Sequence, residues 1–522
     1  MTGSVLPSDF TLGDITRNAA IRDPEVPAMY FESQAWTYAE LNNEVRALSS
    51  ALQSIASKGD RIAILAENLP EYVFAYYGVP AAGMALTMLN HRLIPREWDA
   101  LAQDAGAKVI LLERKYYDAL DAAGLIERYD TVVIVGGDAP QTPGVLDYRT
   151  FIDEAPSIEP PQTTAEELAW IIFTSGTTGR PKGAMLSHRN LYWAIANSLS
   201  VKGRGEGAIV LPWPMCHVAG FIVPMVHMCG RTLVLMRTYD PVEFLKLIEK
   251  HRISEASVAP TMLNMLLRHP EIDNYDLSSL QRISYGAAPM PLEVLKRAMA
   301  RFGDVEFSTG FGMTELAGNV LSQPWESLQR ALHGNEKLLS SVGRTMPFGT
   351  VRVVDEAMAD VAVGEVGEIV VRAPQVMIGY WNRPEVTDED FAHGWFHTGD
   401  LGSVDEEGNL YIVDRKKDVI VTGGENVASR EVEEVLYQHP SVAEAAVVAQ
   451  PDENWGEIIV AVIQLVPGAE PDADSIVALC RDQLASYKKP RRVLFIDELP
   501  RNAAGKILKR DLRDGLASGS LT

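Results

Sequence analysis

The chain is poor in cysteine. Its 522 residues hold three, Cys216, Cys229 and Cys480, and none stands in a Cys-x-x-Cys pair. An odd number at such spacing gives neither a disulfide framework nor a structural zinc site, so buried free thiols in a reducing cytoplasm are expected. Positive charge is also short: 47 Lys and Arg against 70 Asp and Glu leave a formal net charge of −23. That balance argues against broad nucleic-acid binding and against a polybasic membrane anchor. Long apolar runs are missing too. The longest, Phe74 to Leu89, is interrupted by Gly78, Pro80 and Gly83. It is too short and too broken to span a bilayer, and reads as a buried helix running into a strand. Residues 1–30 carry Asp9, Asp14, Arg17, Arg22, Asp23 and Glu25 without an apolar stretch, so no signal peptide is expected. The histidines show no metal-ligand spacing, and no internal repeat or low-complexity tract stands out.

What is present is length. A single core rarely grows past roughly 250–300 residues, so two or more structural units are expected. Strand-like runs alternate with helical patterns early in the chain. Arg61–Ala66, Lys108–Leu112 and Thr131–Val135 read as strands, and Glu71–Tyr77 reads as a helix after the Asn68-Leu-Pro70 turn. Such alternation predicts parallel sheets covered by helices. Val351–Val354 and Gly367–Arg372 flank turns without long helices, which predicts an antiparallel or barrel-like part. Beyond about residue 416 the pattern becomes a compact α+β unit. It has helices near Ser429–Gln438 and Asp474–Leu484, and strands near Ala445–Val448 and Ile458–Val466. The expected fold class is therefore α/β. The expected organisation is a large N-terminal domain (1–416) of two α/β subdomains and the barrel-like part, followed by a small α+β domain (417–522).

The densest chemistry lies in Thr174-Ser-Gly-Thr-Thr-Gly-Arg-Pro-Lys-Gly183, entered from the apolar run Trp170–Phe173. Its glycines let the backbone approach a ligand and present successive N–H groups. The hydroxyls of Thr174, Ser175, Thr177 and Thr178, with Lys182, add donors for phosphate oxygens. It is not the common P-loop, because no Ser or Thr follows Lys182.

This segment resembles the phosphate loop of the adenylate-forming superfamily, which includes acyl- and aryl-CoA synthetases, firefly luciferase and the adenylation domains of nonribosomal peptide synthetases. Further motifs of that family follow in order over nearly the whole chain. They are Trp36-Thr-Tyr-Ala-Glu-Leu41, Pro214-Met-Cys-His-Val-Ala-Gly220, Gly286-Ala-Ala-Pro-Met290, Gly310-Phe-Gly-Met-Thr-Glu315, Trp395-Phe-His-Thr-Gly-Asp400, Asp414-Arg-Lys-Lys-Asp418, Gly423-Gly-Glu-Asn426 and Pro500-Arg-Asn-Ala-Ala-Gly-Lys506.

The resemblance implies a division of labour. Thr174, Ser175, Gly176, Thr177, Thr178, Gly179 and Lys182 would cradle the phosphates of ATP. Gly286, Ala287, Phe311 and Gly312 would surround the nucleotide. Phe311, standing where the family usually has Tyr, would offer its ring as a stacking wall for adenine. Thr314 would contact the α-phosphate, and Glu315 would hold Mg²⁺, a hard cation that prefers oxygen ligands. Asp400 would accept bonds from both ribose hydroxyls, with Arg415 beside it. Lys506 matches the family's reactive lysine, whose ammonium would stabilise charge as a carboxylate meets the α-phosphate. His217 would lie between acyl pocket and adenylate. Lys417 would be the hinge of the C-terminal domain, and Gly423 and Gly424 would let pantetheine pass close to the backbone.

The acid and the acceptor can be narrowed. Amino-acid-activating relatives carry an aspartate just after the Pro-Met-x-His motif, whereas residues 218–223 here read Val-Ala-Gly-Phe-Ile-Val. A buried ammonium without a partner is expensive, so the acid is expected not to be an amino acid. Val218 and Phe221 would line an apolar acyl pocket. Only Asp514 to Thr522 follow the last basic cluster, so a fused carrier domain is not expected. The expected reaction is acid plus ATP to acyl-AMP, then transfer to coenzyme A, the family default. The basic cluster Lys488, Lys489, Arg491, Arg492, Lys506, Lys509 and Arg510 would meet its phosphates. A ligase loading a separate carrier protein is the alternative. A catalytically silent relative is set against by Lys506, Asp400 and Glu315 being intact. The identity of the acid stays open, as does a homodimer.

Overall fold

The computed structural model describes residues 10–174, 181–288, 290–501 and 507–521. Three sheets organise them. One has eight strands. Its parallel centre runs Leu168–Thr174, Ala85–Met88, Arg61–Leu65, Val109–Glu113, Thr131–Val135 and Val145–Asp147, and Lys182–Ser187 adds antiparallel to Leu168–Thr174. A second has 13 strands. Its parallel part contains Pro27–Phe31, Leu233–Leu235, Ala208–Leu211, Ile253–Val258, Arg282–Tyr285 and Glu306–Met313. From Glu306–Met313 onward the same sheet continues antiparallel through Gly318–Gln323, Ser341–Thr345, Leu410–Arg415 and Phe396–Val404 to Gly367–Arg372 and Thr350–Val354. The strands expected to form a barrel-like part thus hydrogen-bond in one unbroken order with the parallel strands.

The third sheet has five strands: Glu425–Val427, Ile420–Thr422, Gly456–Leu465, Val442–Asp452 and, parallel to Gly456–Leu465, Arg492–Phe495. The helices Ser429–Leu436 and Ala473–Gln483 cover it with Val432, Val435, Leu436, Ile476 and Cys480. The opposite face packs Leu494, Leu499, Leu512 and Leu516.

Local chemistry explains individual elements. The helix Tyr38–Ile55 starts in a capping box: Thr37 accepts from the Glu40 N–H, and the Glu40 carboxylate accepts from the Thr37 N–H at 2.8 Å. Its buried residues Leu41, Val45, Leu48 and Leu52 recur at helical spacing, which seats it on the largest core. The Trp36–Leu41 motif is thus in part a helix start. The helix Pro70–Ala81 runs further than the expected Glu71–Tyr77, through Pro80. Proline cannot supply the N–H that the Tyr76 carbonyl would receive. The indole of Trp170 donates to that carbonyl instead, at 3.3 Å, and the helix continues.

Candidate active site

The strand ends of the two large sheets carry most of the candidate residues. Leu168–Thr174 and Lys182–Ser187 pair so that Thr174 stands opposite Lys182. Thr314, Glu315 and Leu316 form a single 3₁₀ turn after the strand Glu306–Met313. The Thr174 hydroxyl donates to Glu315 Oε1 at 3.3 Å, and the Tyr380 hydroxyl donates to the same oxygen at 3.1 Å. The Glu315 carbonyl accepts from the Met377 N–H at 2.8 Å. Glu315 is buried, 7% exposed. Lys182 approaches from the side, its ammonium 4.7 Å from the centre of the Tyr380 ring and 3.6 Å from Asp390 Oδ2. Burial, then the charges of Glu315 and Asp390, push the Tyr380 phenol far above its ordinary range, so it stays protonated and donates.

Tyr380 is the residue that sequence reasoning missed. Its signal was an aromatic pair beside small and polar residues, Gly379-Tyr380-Trp381-Asn382. Trp381 also works, donating its indole N–H to the Asp104 carbonyl at 2.9 Å and lying 5.1 Å under Arg61.

The neighbouring backbone admits little substitution. A Cβ on Gly310 would stand 2.3 Å from the Leu321 carbonyl oxygen, and one on Gly312 would stand 2.1 Å from that of Gly318. These glycines let Glu306–Met313 and Gly318–Gln323 pair tightly, with half-buried Phe311 opposite Leu321. Ala287 (φ +67°) and Ala317 (φ +51°) adopt left-handed backbone although neither is glycine. Such strain collects at functional sites. Gly286 leads into Ala287 and bonds the Val258 carbonyl at 3.4 Å.

Asp400 and Arg415 lie opposite one another on paired strands. Arg415 Nε is 3.0 Å from Asp400 Oδ1; the carboxylate side chain is 8% exposed and the guanidinium 43%. The pair is thus rooted in the sheet with its cationic end toward solvent. Lys417 follows in a turn closed by the Asp418 N–H on the Arg415 carbonyl at 2.8 Å.

On the acyl side, His217 stands at the start of the 3₁₀ turn Val218–Phe221, with Nε2 3.3 Å from the Asn90 amide nitrogen. The Phe221 ring covers Gly318, where an added Cβ would meet its edge at 3.3 Å. Val218, Phe221 and Phe311 all pack on the largest core.

Gly423 (φ +61°) and Gly424 (φ +86°) form the two-residue turn between Ile420–Thr422 and Glu425–Val427. The structure builds them into the C-terminal sheet rather than the Glu315 cluster. The Gly423 N–H bonds the Trp455 carbonyl at 2.8 Å, and the Arg491 guanidinium carbon sits over the Trp455 indole, 3.7 Å from its centre. Part of the expected basic patch is internally committed. Lys488 pairs with Glu431 at 2.7 Å, and Lys509 pairs with Glu433 at 2.8 Å. Ser175, Gly176, Thr177, Thr178, Gly179 and Lys506 lie outside the described residues.

Among the described residues no group of three or more His, Cys, Asp or Glu could hold a metal unaided. A single buried carboxylate ringed by hydroxyls fits Mg²⁺ of the kind that takes most of its ligands from phosphates and water. Among the described residues, no helix is long and apolar enough to cross a membrane. Cys216 and Cys480 are buried and free, and burial pushes the Cys216 thiol up to about 12.

Comparison with known proteins bears on the family and the fold. A sequence model described as AMP-binding enzyme matches residues 16–381, and one described as AMP-binding enzyme C-terminal domain matches residues 431–506. The chain is 37% identical over 508 residues to a feruloyl-CoA synthase of Amycolatopsis sp., covering 96% of this chain and 98% of that one. It is 34% identical over 518 residues to a fatty acid–[acyl-carrier-protein] ligase of Streptomyces coeruleorubidus, covering 97% and 96%. The fold superposes on an o-succinylbenzoate CoA synthetase of Bacillus subtilis, solved with its acyl-adenylate intermediate, at a TM-score of 0.85 and 29% identity, covering 97% and 99%.

Proposed function

This chain belongs to the AMP-binding enzyme family, as an adenylate-forming acyl-CoA synthetase, and on that footing we propose that it joins an apolar, non-amino-acid carboxylic acid to coenzyme A through an acyl-adenylate. The observation that carries the reading is the Glu315 carboxylate, buried and bonded by Thr174 and Tyr380, with Lys182 alongside. It combines a hard oxygen donor with cationic and hydroxyl groups suited to a polyphosphate.

In the first step an acid oxygen attacks the α-phosphorus. The bond from that phosphorus to the bridging oxygen breaks, and pyrophosphate leaves with the electron pair. Glu315 would hold Mg²⁺, which when bound withdraws charge from the phosphate oxygens. Thr174 and Lys182 orient the phosphates and Thr314 contacts the α-phosphate. Lys506 stabilises charge between carboxylate and phosphate. Asp400 and Arg415 hold the ribose; Gly286, Ala287, Phe311 and Gly312 surround the adenine. In the second step the thiol sulfur attacks the acyl carbon. The acyl–oxygen bond breaks, AMP departs, and the thiol proton passes to solvent. Gly423 and Gly424 line the path of the thiol arm after a rotation at Lys417, which joins domains 1–416 and 417–522.

The apolar wall of Val218 and Phe221, with no carboxylate at residues 218–223, supports an alkyl or aryl acid. The free cysteines support a reducing compartment such as the cytoplasm. The test is a panel of alkyl and aryl acids with ATP, Mg²⁺ and coenzyme A, read by pyrophosphate release and mass spectrometry. Acyl-AMP and then acyl-CoA are expected without any carrier protein. Pyrophosphate release with no acyl-CoA would transfer the assignment to a carrier-loading ligase, and no release from any acid would remove the proposal.

A further inference from the structure

We propose that Asn68 is a positioning residue that acts on the reaction through His217, a proposal resting on the reading of His217 as a cleft residue. Asn68 follows the strand Arg61–Leu65 of the eight-stranded sheet and is 1% exposed. Its amide nitrogen donates to the Trp213 carbonyl at 2.8 Å and to the Met236 carbonyl at 2.9 Å. Its amide oxygen accepts from the Met215 N–H at 2.8 Å. Both carbonyls and the N–H belong to segments leaving strands of the other sheet, Ala208–Leu211 and Leu233–Leu235. One side chain thus ties the ends of three strands across the seam between the two sheets. A carboxamide suits this because it supplies two donors and an acceptor in one rigid plane.

The tied segment is the one that carries His217. Tyr76 holds it from another side by donating its hydroxyl to the Met215 carbonyl. The segment returns close under that phenol, where a Cβ on Gly220 would lie 1.8 Å from the Tyr76 oxygen. Between these anchors the His217 N–H bonds the Pro214 carbonyl at 3.3 Å, a tight turn that fixes the backbone from which the imidazole projects. The partner of its Nε2, Asn90, follows the strand Ala85–Met88, next to Arg61–Leu65 in the eight-stranded sheet. His217 therefore grows from one sheet but is held in register by the other, with Asn68 bonding the chain two and four residues ahead of it, at Met215 and Trp213, and tying it to Met236. Loss of the carboxamide leaves buried backbone groups unpaired and lets the loop relax. A displacement of about 1 Å at a reacting centre costs on the order of a hundredfold in rate.

The test is a double-mutant cycle with Asn68→Ala and His217→Ala, read by acid-dependent ATP–pyrophosphate exchange. Asn68→Ala lowers kcat/KM for the acid by about tenfold to a hundredfold, while KM for ATP stays within about twofold. In the His217→Ala background the same change costs less than about twofold more, because the group it acts through is gone. The His217 imidazole signals in ¹H–¹⁵N NMR, assigned by their loss in His217→Ala, shift in Asn68→Ala while those of His188 and His439 hold. A full additional loss in the His217→Ala background, or unmoved His217 signals, overturns the proposal. Should Asn68→Ala not fold, Asn68→Asp keeps the shape and the acceptor for Met215 but removes the donors, and the same cycle decides. Wild-type rates in His217→Ala would overturn the cleft reading and the proposal together. If the wild type activates no acid, the functional reading falls, and the NMR arm alone decides whether Asn68 governs His217.

Discussion

Replacing Asp400 by asparagine separates nucleotide binding from folding. The Asp400 side chain is 8% exposed and its partner Arg415 43% exposed, so the pair is screened on its cationic side. A pair of that kind contributes at most about 1 kcal/mol to stability. The Asp400 N–H bonds the Thr398 hydroxyl at 3.1 Å, and this backbone bond survives the substitution. Folding should therefore hardly change. Binding should change, because a carboxylate offers charge-assisted acceptance to two ribose hydroxyls and an amide offers one neutral oxygen. Hydrogen bonds to a charged group are worth about 1.5–3 kcal/mol. At about 1.4 kcal/mol per tenfold, the ATP dissociation constant should rise roughly tenfold to a hundredfold. Calorimetric titration with ATP, beside a melting curve for each protein, makes the measurement. Unchanged affinity refutes the ribose role, and a large fall in melting temperature refutes the estimate that Asp400 adds little to folding.

Other outcomes follow from the same structure. Gly312→Ala drives a Cβ to 2.1 Å from the Gly318 carbonyl oxygen and forces two paired strands apart, so both soluble yield and activity should collapse; a normally active, stable variant contradicts the close approach. Burial holds the imidazoles of His91, His188 and His227 down to about 4, below the 6.5 of an exposed histidine. The unfolded chain then binds more protons between those values, so this stability is present above pH 6.5 and is lost as pH falls toward 4, by about 1.4 kcal/mol per histidine per pH unit. Melting temperature should drop between pH 7 and pH 5, less steeply in His227→Gln, and a flat profile would count against it. Lys417→Pro should leave acyl-AMP formation largely intact yet nearly abolish transfer to coenzyme A, because proline fixes φ near roughly −65° at the proposed hinge. Equal losses in the two half-reactions would indicate misfolding instead.

Much of the fold was legible in the sequence because its cues are local. Thr131–Val135 and Gly367–Arg372 are strands with the expected bounds, since each is a short β-branched run closed by turn residues. The helix over Pro70–Ala81 was read short because Pro80 is a breaker by every local rule. Its rescue comes from Trp170, 94 residues from Tyr76, and no window along the chain contains both. The basic cluster near the C-terminus reads in sequence as a surface for phosphates, but the carboxylates that occupy Lys488 and Lys509 come from Glu431 and Glu433 on the helix Ser429–Leu436.

The sequence by itself determined the family and the chemistry at hand. Contiguous motifs in a set order specify which carboxylates, hydroxyls, glycines and lysines exist, and the lack of a carboxylate at residues 218–223 argues against an amino-acid ammonium. Only the tertiary structure decided how those groups are held. Tyr380 reaches Glu315 across 65 residues, and Asn68 reaches Trp213 across 145. Such partners share no periodicity or spacing in the chain. Their juxtaposition comes from two sheets meeting along a seam, where buried carbonyls and N–H groups must find partners wherever packing places them.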